Sequence, residues 1–178
     1  MQMQPGSTTL RRYFSGISEH VFQAQLGVCD PPLVDYVSEL LYRFTRIDQL
    51  LRIRGLFGRP ISQVTEMVAE AENRVGSARR EVHRHIGDFA LFWSGVYPES
   101  LRQHQGSTKP DQFVDYCQQG KRAYAIAATI ESDEKLETPA EILQRLSLQF
   151  ELCTYALREI RREWEHGDED GAKVLLVD

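Results

Sequence analysis

The sequence predicts an all-α protein, a single-domain bundle of five to six helices around one long central helix. Three observations lead there. Apolar residues recur at spacings of three and four along most of the chain. No alternating apolar and polar run of useful strand length separates them. Helix-start signals, Asp30-Pro31-Pro32 and Thr138-Pro139-Ala140-Glu141 above all, stand where new stripes begin.

The chain has 178 residues, 42% hydrophobic and 26% charged, a globular balance and a length that buries a core without staples. Bulk disorder is thereby excluded. The net charge of -5 argues against a dedicated nucleic-acid binder, which carries a basic face. The longest apolar runs, Ala123 to Ile130 and Val174 to Val177, fall short of the ~20 residues of a bilayer span. Met1 to Thr9 is polar and lacks a signal-peptide core. The expected setting is therefore cytoplasmic, with no membrane association. Cys29, Cys117 and Cys153 include no C-x-x-C pair, which suits free, buried thiols better than a zinc site or a disulfide framework.

Residues 1–9 read as a flexible N-terminus, 10–166 as the bundle and 167–178 as an acidic, mobile tail. Leu10, Tyr13, Phe14, Ile17, Val21 and Phe22 form one stripe on a first helix, which Gly27 ends. Asp30 caps a second, whose stripe is Leu33, Val37, Leu40, Leu41 and Phe44 and runs on more loosely through Ile47, Leu50 and Leu51. Gly55 to Pro60 reads as a loop.

From about Ser62, the positions Val64, Met67, Val68, Ala71, Val75, Ala78, Val82, Ile86, Phe89 and Trp93 keep helical spacing and define the central helix. Gly76-Ser77 and Gly87 are soft points inside it, so a kink or a break into two helices is the alternative. Gly95 to Lys109 reads as a long connection. Pro110 opens a fourth helix with Phe113, Val114, Cys117, Tyr124, Ile126, Ala127 and Ile130. After a polar linker, Thr138 to Glu141 matches a capping box with Thr138 as N-cap, Pro139 at N1 and Glu141 at N3. The last helix carries Ile142, Leu146, Cys153, Leu157, Ile160 and Trp164 on one side, and Gly167 ends it.

The familiar catalytic signatures are missing. Glu163-Trp164-Glu165-His166 is a lone Glu-x-x-His, where a di-metal bundle needs two with further glutamates. There is no HExxH, no G-x-S-x-G, and no phosphate loop, since Asp115 stands where the glycine before Gly120-Lys121-Arg122 would be needed. No catalytic residue, metal ligand or cofactor is assigned.

One constellation remains. At ~100° per residue, Glu81, His85 and Asp88 fall on one helical stripe within about 60°, beside Val82, Ile86, Phe89 and Trp93, while His83 lies on nearly the opposite side from His85. A histidine between two carboxylates has a raised proton affinity, or joins Asp88 in holding a ligand. With Tyr116 or Tyr124 across a cleft, these residues make a candidate binding site. The plainer reading is a solvated edge with i,i+3 and i,i+4 charge pairs. Tyr116 and Tyr124, two turns apart, also suit a core stripe. Arg43, Arg46, Arg52, Arg54 and Arg59 form a basic stretch, read either as a phosphate or acidic-partner site or, more plainly, as a solvated helix face paired with the acidic tail.

The stretch Gly87-Asp88-Phe89-Ala90-Leu91-Phe92-Trp93-Ser94-Gly95-Val96-Tyr97-Pro98-Glu99, followed by Asp115-Tyr116, Gly120 and Ala123-Tyr124, resembles a bacterial family of helical proteins that carries no assigned activity. The resemblance implies an all-helical fold and a bacterial cytosol, and supplies no catalytic residues. In physical terms, Ser94-Gly95 ends the central helix, and Gly87 and Gly120 let two helices approach closely. The expectation for function is a non-enzymatic scaffold or protein-interaction module, homodimeric through a helical face. The alternative is a small-molecule or metal-binding bundle, possible as an enzyme, using the Glu81, His85 and Asp88 stripe.

Overall fold

Gly27, in the left-handed region at φ +66°, turns the chain out of the first helix as its lack of a side chain allows. The computed structural model describes residues 5–44, 64–102, 112–132, 135 and 138–169, and every regular element among them is helical. Helix α1 spans Pro5–Glu19 and continues as a π-helical turn over His20–Gln25. Then come α2 (Pro31–Phe44), α3 (Val64–Glu72), α4 (Gly76–Val96), α5 (Pro98–Arg102), α6 (Gln112–Thr129), α7 (Ala140–Leu148) and α8 (Phe150–Glu169).

Seven of these helices have nine residues or more, against the five to six expected. The difference arises because two expected helices are each broken. At the first break, Asn73 and Arg74 bond back to the Glu70 and Ala71 carbonyls at 3.1 Å each. Val75 is then extended (φ -131°, ψ 160°), and Gly76 takes φ +57°. Val75, assigned to the apolar stripe, is 84% exposed. The stripe resumes in phase beyond the corner, so periodicity alone does not reveal it. The second break is at Gln149 (φ -110°, ψ 27°). All six apolar residues assigned to the last helix remain on the buried side.

The starts follow local chemistry with one correction. Asp30 caps α2 as expected, accepting from the Leu33 N–H at Oδ1 (3.4 Å) and from the Val34 N–H at its carbonyl (3.0 Å). At α7 the Thr138 box does not form. Pro139 is the N-cap, without a side-chain cap bond, and its carbonyl accepts from Ile142 (3.1 Å) and Leu143 (3.3 Å). The Thr138 carbonyl is instead taken by a guanidinium N–H of buried Arg80 at 2.6 Å. Helix α1 starts at Pro5 rather than Leu10, α4 runs past Ser94-Gly95 to Val96, and α8 runs through Gly167 to Glu169. The expected continuation through Ile47, Leu50 and Leu51, the Gly55 to Pro60 loop, most of the Gly95 to Lys109 connection and the tail from 170 onward lie outside the described residues.

Helix α4 is the centre of the molecule. Its largest interface is with α6, followed by α8 and α3, and every position from Val82 to Phe92 is buried. Glycines set the closest approaches, as anticipated for Gly87 and Gly120. A Cβ on Gly120 would lie 2.6 Å from the Phe150 ring and 2.8 Å from Ala90 Cβ, and one on Gly95 would lie 2.6 Å from Leu157 Cβ. Arg161 closes the C-terminal end of α4, donating to the Val96 carbonyl at 2.7 Å and pairing with Glu99 while stacking over the Tyr97 ring. Cations at that end suit the helix dipole.

The three cysteines are free. Cys153 is buried, and desolvation, with a contribution from Asp30, pushes its thiol up to about 12. Cys29 is exposed rather than buried, because it falls on the connection between α1 and α2. Among the described residues, no helix is long and apolar enough to cross a membrane.

Candidate functional site

A carboxylate in the middle of a helix that is buried all round must be neutralised by its neighbours, because an isolated charge in an apolar interior is too costly to keep. Asp88, flanked by Gly87 and Phe89 and 0% exposed, is that carboxylate. Its own helix supplies Arg84 one turn earlier. Helix α2 supplies Tyr36 and Arg43, seven residues and so two turns apart on one face, and α6 supplies Tyr124.

Oδ1 of Asp88 accepts from the hydroxyls of Tyr36 (2.6 Å) and Tyr124 (2.7 Å). Oδ2 accepts from Nη1 of Arg43 (3.1 Å) and Nη1 of Arg84 (2.9 Å). Arg84 also donates to the Tyr36 hydroxyl at 3.2 Å and grips Glu81 in a two-point pair, with Nε to Oε2 at 3.0 Å. Two carboxylates thus meet two guanidiniums and the cluster is neutral. Its bonds to the two carboxylates are charge-assisted.

The same environment fixes protonation. Burial pushes Asp88 up, but Arg43, Arg84 and the two phenol hydrogen bonds outweigh it and hold the carboxyl below the usual range. Burial, reinforced by the Asp88 charge, raises both Tyr36 and Tyr124. At neutral pH the acid stays ionised and the phenols stay protonated.

The structure brings Glu81, Asp88 and Tyr124 of the expected site into one network. It places Arg84, not His85, between the two carboxylates. His85 is 3% exposed and stacks on Phe44, with ring centroids 5.8 Å apart and an interplanar angle of 23°. Tyr116 is half-buried and packs on Phe89 at 6.3 Å, apart from the cluster. The solvated-edge reading is corrected for Asp88 and His85: α4 is wrapped on all sides, so it has no solvated edge at that level. The i,i+3 and i,i+4 pairing itself is present, made by Arg84.

Tyr36, Arg43 and Arg84 were missed. A signal did exist, since Arg84 stands three residues after Glu81 and four before Asp88, and Tyr36 and Arg43 share the face of Val37, Leu40 and Phe44. Nothing in the periodicity says which helix faces Asp88. Arg43 also overturns part of the basic-stretch reading, because it turns inward to Asp88. Arg46, Arg52, Arg54 and Arg59 lie outside the described residues.

Above the cluster, α2, α4 and α7 enclose an open groove of about 1220 Å³. Tyr36, Arg43 and Arg84 form its polar floor, with Asp35 and Glu39 on the α2 wall, Ala78 and Glu81 on α4, and Pro139, Glu141 and Ile142 on α7. Among the described residues, no group of three or more His, Cys, Asp or Glu side chains is arranged to hold a metal ion.

The Gly87 to Glu99 segment gathers several of these features. Gly87 receives the Tyr124 ring, Asp88 the cluster and Gly95 the Leu157 side chain, and Arg161 fastens Val96 and Glu99. No family model, no curated protein and no solved structure matches this chain.

Proposed function

We propose that the chain is a non-enzymatic interaction module of the bacterial cytosol that receives an extended segment of a partner protein in the groove between α2, α4 and α7. The observation that carries this reading is the locked state of the groove floor. General acid–base catalysis needs a group that gains and loses a proton near the working pH, and Tyr36, the titratable phenol of the floor, is raised away from it by burial and by the Asp88 charge beneath it. The floor is held in place by its own hydrogen bonds and offers a fixed shape, which suits recognition.

Charge points to the kind of segment. Arg43, Arg84 and Arg145 of the groove each pair with a carboxylate of this chain, and Glu39 pairs with Arg11. Asp35 and Glu141 have no ion pair among the described residues, so the groove carries a negative surplus that favours Lys- or Arg-bearing peptides. Self-association through a helical face has less support. The large hydrophobics exposed among the described residues are Val75, Val114, Leu148 and Tyr155, each on a different element or corner.

The test is a panel of basic, neutral and acidic extended peptides, with amide chemical shifts followed in solution. Basic peptides are expected to shift residues of α2, α4 and α7, and Ala78→Trp on the exposed α4 wall is expected to weaken binding at least about tenfold, near 1.4 kcal/mol. Shifts confined to other helices, or equal binding by Ala78→Trp, would refute the reading. A small-molecule ligand is the second reading, favoured by the convergence of Tyr36, Arg43 and Arg84 on one floor. The volume and openness suit an extended chain better, since small-molecule pockets are enclosed and typically of about 300–1,000 Å³.

A further inference from the structure

Asp35 and Glu39, one turn apart on the outward side of α2, line two openings at once. At ~100° per residue, Tyr36 and Arg43 turn to one side of this ridge, into the groove, and Ser38 turns to the other. There α1 and α2 enclose a second, smaller cleft of about 520 Å³. Its α1 wall is Thr8, Arg11, Arg12 and Ser15, which share one helical face at spacings of three and four. Groove and cleft adjoin across the ridge.

Most charges along this path are already engaged within the chain. Arg11 pairs with Glu39 at 2.9 Å and lies over the Tyr42 ring at 4.3 Å. Arg43 and Arg84 are held by Asp88, Arg84 also grips Glu81, and Arg145 holds Asp30 at 2.9 Å. Three charged side chains of the two linings have no ion pair among the described residues: Glu141 on α7, Asp35 on the ridge and Arg12 on α1. From α7 to α1 the order is acid, acid, base. A complementary segment carries a base in the groove and an acid over the cleft, where the Thr8 and Ser15 hydroxyls beside Arg12 can donate to the same carboxylate.

Resting on the seating of a basic segment in the groove proposed above, we infer that the segment continues over α2 and sets an acidic residue against Arg12. The partner is thereby a bipartite peptide, basic and then acidic. A helix with its side chains is about 10–12 Å across and an extended chain advances about 3.3 Å per residue. The base and the acid therefore stand about three to four residues apart.

Titration of the intact chain with short peptides built on Ser and Gln tests this, with amide chemical shifts followed throughout. One peptide carries lysines alone, one adds a Glu at the stated spacing, and one places that Glu next to a lysine, each in both chain directions. The spaced peptide is expected to bind about three- to fivefold tighter than the adjacent one of equal charge, the worth of one exposed ion pair, and to shift residues 8–15. Arg12→Glu, a change at an exposed position, should abolish that gain and transfer it to a peptide with Lys in place of the spaced Glu. Equal binding of the spaced and adjacent peptides, or a gain that survives Arg12→Glu, would overturn the crossing while the lysine peptide still marks the groove. Failure of every peptide would overturn the groove reading and the crossing together. The same shifts on raising the protein concentration without peptide would give the path to a second copy of this chain and overturn the inference as well.

Discussion

Two sides of α4 solve burial by different physics. Towards α6 and α8, Ala90 with Gly120 against Phe150, and Gly95 against Leu157, fit by shape alone. Towards α2, Asp88 is held by four directed bonds from Tyr36, Arg43, Arg84 and Tyr124. The shape contact loses stability in proportion to the volume added or removed. The charge cluster behaves as a unit, because deleting one member leaves the others buried and unmatched. Tyr124 belongs to both, with its ring against Gly87 and its hydroxyl on Asp88.

The sharpest way to break the contrast is Asp88→Ala, which takes from Arg43 its carboxylate and leaves Arg84 with Glu81 alone. It should cost about 3–5 kcal/mol, the range for removing one partner of a buried ion pair, read from denaturant midpoints. The pH response is its companion. The native carboxyl is held below the usual range, so the native state binds the proton less tightly than the unfolded chain. The stability this contributes is full above about pH 3.9 and is lost as pH falls from there through the lower native value. Asp88→Asn should flatten that acid limb, and an unchanged limb would place the carboxylate outside the stability balance.

On the shape side, Gly87→Leu and Gly120→Leu should each cost about 3 kcal/mol, the upper end for overpacking, because even a Cβ meets ring atoms at 2.6 Å. Unchanged midpoints in both would mean that these helices are free to separate. The smallest effect divides the two contributions of Tyr124. Tyr124→Phe keeps the ring and removes one of four bonds to Asp88, for about 1.5 kcal/mol, the lower end for a hydrogen bond to a charged group. A loss as large as that of Asp88→Ala would make the hydroxyl the keystone of the cluster.

Much of the fold was legible. The stripes of Leu33 to Phe44 and Ile142 to Trp164 lie where periodicity placed them, because an amphipathic helix has to turn its apolar face inward whatever covers it. The breaks at Val75 and Gln149 were not, since a corner that restores the helical phase leaves the spacing intact. The capping box at Thr138 failed for a related reason, in that a distant residue, Arg80, competes for the carbonyl that local rules leave to the helix.

The site was half legible. Glu81, Asp88 and Tyr124 were singled out from helical angles and a polar residue in an apolar run, while Arg84 stood between the carboxylates all along and was passed over for a histidine. Tyr36 and Arg43 lie 52 and 45 residues from Asp88, and no local rule reaches that far.

By itself the sequence determined the helical class, the side of each helix that is buried and the glycines at which helices close up, since these follow from side-chain size and a 3.6-residue period. The tertiary structure alone decided that α4 is buried on every side from Val82 to Phe92. That wrapping turns Asp88 from one half of a surface charge pair into an obligatory four-bond hub, because a charge denied water must find its partners wherever in the chain the packing brings them.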